Sequence, residues 1–161
     1  MTTRPRTPDA YRNVPLSALL YVTRGTYTAA VRRAQSRIGC DDVPVTGEVL
    51  LNAMEWSGAP FETVVRFLGI TKQATSQTVD TLVKRGYLER AEDPTDRRRI
   101  KLTLTERGHR AGKAGRAGIE AVDRELMKRV GPQRIAHARE MLVALLEIKR
   151  RNLARDAAEG A

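Results

Sequence analysis

Apolar side chains in the first third of the chain recur every three or four residues, which is the spacing of an amphipathic helix. One such stripe extends over residues 16–38 and is expected to end at Gly39. A second helix is expected to begin at Thr46, whose hydroxyl can cap the first turn, and to end near Gly58. The chain is therefore predicted to start with helices, and residues 1–14 before them are interpreted as a flexible arm.

A short helix, a tight turn and a longer helix are predicted next. Pro60 is favourable in a first helical turn and Gly69 breaks the helix, after which Thr71 can cap a helix over residues 72–85 that ends at Gly86. The helical spacing directs one set of side chains to a core, namely Ile70, Ala74, Thr78, Val79, Leu82 and Val83. It directs a second set outward, namely Lys72, Gln73, Ser76, Gln77 and Asp80. The outward face is therefore mostly polar and uncharged.

The period of the apolar positions then changes to two, which predicts a β-hairpin with short strands at residues 88–91 and 100–104. The intervening residues 93–96 (DPTD) have the composition of a loop. Three arginines that repel one another follow at the tip, namely Arg97, Arg98 and Arg99. Such a cluster becomes favourable beside DNA because it displaces condensed counterions. The alternative is that these charges only protect an exposed strand edge from aggregation.

Two long helices are predicted for the C-terminal part of the chain. Thr105 can cap the first helix, and a break is expected at Gly131 and Pro132. The second helix is expected to continue to about Arg155, with an apolar face broad enough to require a partner from the same chain or another subunit. The early turns of the first helix are expected to fray without tertiary support, because a glycine in a helix interior costs about 1 kcal/mol relative to alanine. Four glycines lie there: Gly108, Gly112, Gly115 and Gly118.

Composition narrows the possible functions. The chain has 161 residues, 41% of them hydrophobic, which suits one domain with its own core. Its 29 Lys and Arg against 19 Asp and Glu give a formal net charge of +10, and this surplus favours a polyanionic partner. The apolar run at residues 16–22 is too short for a membrane span and no cleavage site follows it, so a cytoplasmic protein is expected.

Metal, redox and enzymatic chemistry find little support in the sequence. Cys40 is the one cysteine, and with only His109 and His137 beside it neither an internal disulfide nor a soft-metal site can form. The acidic neighbours of Cys40 do not favour a reactive thiolate, so it is interpreted as a small packing residue. The sequence contains no nucleophile–base pairing or phosphate-cradling glycine loop, so neither an enzyme nor a bound cofactor is predicted.

The predicted order of helix, glycine turn, helix and cationic hairpin is that of a winged helix-turn-helix, whose second helix enters a major groove. Glutamine and serine on the outward face of this second helix can form hydrogen bonds with base edges, and lysine can contact phosphate or guanine. The most specific segments are 68–72 (LGITK), 79–82 (VDTL), 85–88 (RGYL), 93–98 (DPTDRR) and 102–105 (LTLT), together with Gly108. Through these segments the chain resembles the MarR (multiple-antibiotic-resistance regulator) family of bacterial transcription factors over residues 60–108.

The resemblance implies a mainly α fold with a small β wing (α+β) and a single domain over residues 15–161. In that fold a winged helix-turn-helix lobe at about residues 46–108 binds DNA, and helices at about 15–39 and 106–155 join two subunits. The resemblance further implies that Arg98 enters a minor groove and that Asp96 holds it in position. Where the family often has arginine in the recognition helix this chain has Gln77, so its target sequence is expected to differ.

The family resemblance also allows a small-molecule site between the dimerisation helices and the DNA-binding lobe. Large side chains at the end of the second helix and along the first are the candidates for lining it: Tyr21, Tyr27, Met54 and Trp56. Core packing explains these four residues equally well.

Together these patterns and the family resemblance predict a bacterial, nucleoid-associated homodimer that binds a pseudo-palindromic double-stranded DNA operator. The resemblance alone implies that the protein represses transcription until a small molecule binds. The residues predicted to contact DNA are Thr71, Lys72, Gln73, Thr75, Ser76, Gln77, Asp96, Arg97, Arg98 and Arg99. The alternative is a non-specific architectural nucleic-acid-binding protein, which the charge surplus and the Gly/Arg-rich residues 108–118 would also suit.

Overall fold

The structure is a computed structural model that describes residues 11–93 and 96–159, with only the backbone of residues 92, 93, 96–100 and 157. The predicted N-terminal arm lies mostly outside this range. Six helices and two strands follow in the order α1 (Leu16–Ser36), α2 (Val45–Ser57), α3 (Phe61–Leu68), α4 (Lys72–Lys84), β1 (Leu88–Asp93), β2 (Asp96–Leu104), α5 (Glu106–Val130) and α6 (Pro132–Glu159). The chain divides into two compact units, Met1–Val122 and Asp123–Ala161. The predicted fold class, mainly α with a small β wing, is confirmed.

The turn between α3 and α4 forms as its residues predict. Gly58 and Gly69 end α2 and α3 with φ angles of 60° and 66°, in the left-handed region that favours glycine. Thr71 caps α4, because its side-chain oxygen accepts a hydrogen bond from the Ala74 N–H at 3.3 Å. The two helices of the helix-turn-helix are therefore separated by a short turn, as expected.

The start of α2 differs from the prediction. The helix begins at Val45, directly after Pro44, and no side chain caps it, so the predicted cap at Thr46 is wrong. The carbonyl of Pro44 already accepts the Glu48 N–H at 2.9 Å, which places Thr46 inside the first turn. Proline presets the backbone for a helix start without a side-chain cap, and this is why the threonine was misleading.

The wing is longer than its apolar pattern indicated. Strands β1 and β2 pair antiparallel from Leu88 opposite Leu104 to Glu92 opposite Ile100, and after an irregularity Asp93 lies opposite Asp96. The prediction that all of residues 93–96 form a loop is therefore wrong for the two aspartates. Backbone pairing continues past the last apolar position because ladder hydrogen bonds do not depend on side-chain polarity.

The core of the first unit joins α2, α4, the base of the wing and α5. Its most deeply buried side chains are Leu50, Leu51, Leu82, Tyr87, Leu88 and Ala111. Each Å² of apolar surface that is buried contributes about 25 cal/mol to the free energy of folding. The buried side chains of α4 therefore fix this helix to the rest of the lobe. The remaining side of α4 is left at the surface.

Three glycines of α5 lie where this helix approaches α1 and α2, and Gly108 lies against the Tyr87 carbonyl group next to β1. A Cβ atom on Gly118 would lie 2.7 Å from the Ala30 carbonyl oxygen on α1, and one on Gly112 would lie 2.7 Å from the Glu55 Cβ on α2. All four glycines considered above are buried, namely Gly108, Gly112, Gly115 and Gly118. The fraying expected for the early turns of α5 is therefore wrong, because the helix is continuous from Glu106 and its glycines are packed against the rest of the unit. Only residues without side chains allow this close approach.

The second unit contains the end of α5 and all of α6. Gly131, with φ of 79°, lies between the two helices and Pro132 begins α6, so the predicted break is confirmed. No described residue of α6 is buried. Its exposed apolar side chains are Met141, Leu142, Val143, Leu145, Leu146, Ile148 and Leu153. In the part of the chain that the structure describes, no helix is both long and apolar enough to span a membrane.

Candidate nucleic-acid interface

Helix α4 has one buried face and one exposed polar face. Thr78, Val79 and Leu82 are buried in the lobe. The opposite side is exposed and consists of Lys72, Gln73, Ser76, Gln77 and Asp80. The predicted orientation of this helix is therefore confirmed. The exposed amides and hydroxyl can both donate and accept hydrogen bonds, which is the capacity needed to bond base edges in a major groove.

The N-terminus of α4 lies at one end of this exposed face. Thr71 is exposed there, and the hydroxyl of the half-buried Thr75 donates to the Thr71 carbonyl oxygen at 2.8 Å. The two hydroxyls therefore bond to the helix backbone itself. Free backbone N–H groups at a helix N-terminus attract phosphate, so this end suits contact with a nucleic-acid backbone and Lys72 adds positive charge beside it.

An ion pair connects α4 to the wing. The Arg90 guanidinium on β1 donates from Nη2 to Asp80 Oδ1 on α4 at 2.6 Å. Both side chains are exposed, so the pair adds little to stability, but it sets Arg90 beside the polar face of α4. The sequence pattern gives no signal for this contact, because the two residues lie on different elements and no helical or strand spacing links them.

The wing arginines lie on β2 in the backbone trace, just past its junction with β1. The side chains of Asp96, Arg97, Arg98 and Arg99 lie outside the described part of the structure. Their predicted contacts with DNA, and the predicted support of Arg98 by Asp96, therefore stay predictions.

A polar cluster at the base of the lobe also has no signal in the sequence pattern. Asp42 lies in the turn between α1 and α2 and accepts a hydrogen bond from the Tyr87 hydroxyl. It also forms an ion pair with Arg107, with 3.0 Å between Oδ1 and Nη2. The hydrogen bond from Tyr87, and then the charges of Arg107 and Arg85, hold the pKa of the Asp42 carboxyl below its ordinary value. Burial, followed by the bond to Asp42, raises the pKa of Tyr87 far above its ordinary value, so it stays a donor.

The four predicted ligand-lining residues do not share one environment. Tyr21 and Trp56 are 80% and 71% exposed, Tyr27 is half-buried and Met54 belongs to the buried core. A cavity of about 280 Å³ is instead lined by Arg32, Gln35, Ser36, Cys40, Asp41, Val43 and Glu48. The predicted ligand site therefore stays a prediction.

Charged side chains form part of the cavity lining. Arg32 Nε donates to the buried Glu48 carboxylate at 2.9 Å, and Cys40 is almost fully buried. Among the residues that the structure describes, no group of three histidine, cysteine, aspartate or glutamate side chains is placed to hold a metal ion.

Comparison with known proteins agrees with this geometry. The model of the MarR family matches residues 51–99. A MarR family protein of Mycobacterium tuberculosis, solved in complex with salicylic acid, is 25% identical, with 83% of this chain and 98% of that chain covered and a TM-score of 0.56. A crystal structure of MarR is 23% identical, with 87% and 94% covered and a TM-score of 0.64. No match was found among curated proteins.

A transcriptional repressor, CouR, bound to a 23-mer DNA duplex is 17% identical, with 88% of this chain and 99% of that chain covered and a TM-score of 0.64. The fold is thus shared over most of the chain, whereas the matched residues 51–99 fall on the lobe that contains α4 and the wing. The chain is therefore similar to the MarR family over residues 51–99, and it shares the winged-helix fold of MarR family structures over most of its length.

Proposed function

We propose that this protein is a homodimeric transcription regulator that binds double-stranded DNA sequence-specifically in the bacterial cytoplasm. The observation that carries the proposal is the exposed face of α4, where two glutamines and a serine lie on a helix anchored by its buried face in a winged helix-turn-helix. The net charge of +10 supports a polyanionic partner. The CouR repressor, which shares the fold, was solved with a DNA duplex.

The proposal is tested by comparing selected DNA with random DNA. Fragments bound by the protein would be selected from the source genome, and their affinity measured against random duplex at physiological salt. Specific binding is expected to exceed random binding by at least about 10³-fold, with a pseudo-palindromic site whose halves lie about one helical turn apart. A ratio near one would instead support a non-specific architectural protein.

The wing is proposed to bind beside the recognition helix through Arg97, Arg98 and Arg99. Arginine in a narrow minor groove lies in an enhanced negative potential and displaces counterions. Arg98→Ala is expected to weaken binding and to lower the slope of log affinity against log salt by about 1. Arg134→Ala on α6 makes the same charge change outside the lobe and should leave the slope unchanged. An unaltered slope for Arg98→Ala would remove this arginine from the interface.

Dimer formation is proposed because apolar side chains of α1 and α6 are left at the surface of the single chain. On α1 these are Leu16, Leu20, Tyr21 and Val22, and on α6 they include Leu142, Leu145 and Leu146. On each helix, an exposed apolar face of this kind is typical of an interface in soluble proteins. Sedimentation equilibrium should give twice the 17.9 kDa mass of the chain.

Repression that is relieved by a small molecule is the final part of the proposal. Its support is that a similar protein was solved with salicylic acid and another similar protein is a repressor. Salicylate and related aromatic carboxylates would be titrated into the protein–operator complex, with an expected loss of affinity of about 5- to 150-fold for an effector. If the protein still binds its operator with full affinity at saturating concentrations of every ligand tested, this class of ligand is not its effector. The proposal that the protein binds DNA would not be affected.

A further inference from the structure

Asp42 binds residues that are far away in the sequence. Its carboxylate accepts from the Tyr87 hydroxyl and from Arg107 Nη2, and its backbone carbonyl accepts from Arg85 Nη1. These three partners lie 45, 65 and 43 positions away along the chain. An aspartate that only stabilises its own turn bonds to backbone groups two or three residues away. Asp42 therefore connects elements, in addition to any role in its turn.

The three partners surround the end of the recognition helix. Arg85 is the C-cap of α4, Tyr87 precedes the first residue of β1, and Arg107 lies in the first turn of α5. Arg107 Nη1 donates to the Arg85 carbonyl oxygen at 2.8 Å, and its guanidinium lies 4.4 Å from the centre of the Tyr87 ring. The Thr105 hydroxyl donates to the Gly86 carbonyl oxygen at 2.6 Å. Residues at the start of α5 thus bind the carbonyl groups at the end of α4.

The cluster contributes more to the orientation of α4 than to the free energy of folding. The side chains of Asp42 and Arg107 are 41% and 37% exposed, and an ion pair with that exposure contributes little to the free energy of folding. The Asp42 carboxylate nevertheless receives bonds from two different elements, and Arg107 is held by a carboxylate, a carbonyl and a ring. Several bonds in different directions restrict the orientation of α4 against the α1–α2 turn and the start of α5.

We propose that Asp42 is a positioning residue that, through Tyr87 and Arg107, sets the orientation of recognition helix α4 and thereby the half-site spacing that the dimer accepts on DNA. The inference rests on the proposed function, because spacing has meaning only for a dimer on a duplex. One base pair of added spacing moves a half-site by about 3.4 Å and rotates it by about 35°. A small loosening of α4 would therefore be measurable as tolerance of the wrong spacing.

The test compares Asp42→Asn with Asp41→Asn, which removes the same charge from the exposed neighbouring residue. Affinity would be measured on duplexes whose half-sites are separated by the selected spacing and by one base pair more or less. Asp42→Asn is expected to reduce the preference for the selected spacing by about fivefold or more, while Asp41→Asn keeps it. Affinity for a duplex with a single half-site should stay within about twofold of wild type, since the face of α4 is unchanged.

A second variant covers the case in which Asp42→Asn does not fold. Tyr87→Phe keeps the buried ring and removes only the hydroxyl that binds Asp42, so it should relax the spacing preference in the same direction. If whichever of these variants folds keeps the wild-type preference for spacing, Asp42 does not position α4 and the inference is overturned.

A measurement without DNA separates this inference from the proposed function. Spin labels at Thr26→Cys on α1 and Ser76→Cys on α4, in full-length protein diluted with unlabelled protein, report the distance between the two helices. Asp42→Asn should broaden that distance distribution and Asp41→Asn should not, whether or not wild type binds DNA. Broadening without DNA binding would contradict the proposed function alone, whereas unchanged distributions together with an unchanged spacing preference would contradict the role of Asp42.

Discussion

Leu82 on α4 and Leu145 on α6 both belong to helices with an apolar stripe, but Leu82 is fully buried and Leu145 is 38% exposed. The first residue belongs to a unit that encloses its own core with α2, the wing and α5. The second belongs to a helix in which no described residue is buried. An amphipathic pattern therefore indicates only that a helix needs a partner surface, and either the same chain or another chain can supply that surface.

The two regions also use their surfaces differently. In the first unit the exposed face of α4 is polar, as expected of a surface that binds a polar ligand reversibly. On α6 the exposed residues include seven apolar side chains in a short stretch, as expected of a surface that is permanently covered. Substitutions at exposed polar positions of α4 should therefore alter DNA recognition, whereas substitutions at exposed apolar positions of α6 should alter assembly.

The largest effect is expected from Leu145→Asp on α6. A carboxylate placed in a covered apolar interface lacks a partner, so the dissociation constant of the dimer should rise by at least about 100-fold. Sedimentation equilibrium measures the change, and Gln133→Asp, which adds the same single negative charge at an exposed position away from this face of α6, is the control. Equal dimer affinity in the two variants would show that this face of α6 is not covered by a second subunit.

Gln77→Ala on α4 should change recognition and leave stability and assembly unaltered. Loss of a bidentate contact to a base costs about 1 to 3 kcal/mol at one operator position, whereas surface substitutions change the free energy of unfolding by less than about 0.5 kcal/mol. Binding would be measured on operators substituted at each position in turn. A uniform loss over all sequences would assign Gln77 to the DNA backbone.

Gly118→Ala should destabilise the first unit by about 1 to 2 kcal/mol. The added Cβ would lie 2.7 Å from the Ala30 carbonyl oxygen, and overpacking of about 1 to 3 kcal/mol exceeds the gain of up to about 1 kcal/mol in helix propensity. Gly25→Ala on α1, where no atom lies within 4 Å of the added Cβ, should show the gain alone. Denaturant unfolding measures both, and a stabilised Gly118→Ala would contradict close packing of α5 on α1.

The smallest effect is the dependence of stability on the ionisation of Asp42. A carboxyl group with a lowered folded-state pKa stabilises the folded protein above its unfolded-state pKa, and this stabilisation is lost as the pH falls through the folded-state pKa. The difference in unfolding free energy between wild type and Asp42→Asn should thus be constant from about pH 8 to 5 and shrink below about pH 4. Its size should stay below about 1 kcal/mol, since the Asp42 side chain is 41% exposed and solvent screens its ion pair with Arg107. If this difference in unfolding free energy changed between pH 8 and pH 5, a titratable group other than Asp42 would be responsible.

Local patterns were sufficient for most of the elements and for the face that α4 exposes. The glycines after α2, α3 and α4 and the cap at Thr71 act within a few residues, and the same is true of the helical spacing that separates Gln77 from Leu82. The family resemblance added the expected function. Errors arose where one local signal competed with another, as with Pro44 and Thr46 at the start of α2.

Non-local contacts could not be read from the same patterns. The Asp80–Arg90 pair joins a helix to a strand, and the Asp42 cluster joins a turn to residues more than 40 positions away. The sequence does not indicate which surface the glycines of α5 approach. A glycine in a helix is compatible both with fraying and with a close contact to another element.

The sequence by itself determined the order of helices and strands, the polar face of the recognition helix and the charge surplus, because each depends on residues close together along the chain or on composition alone. The tertiary structure decided which faces are covered within the chain, how α5 packs on α1 and α2, and that Asp42 binds the end of α4. These features depend on the distances between residues that only the folded chain brings together.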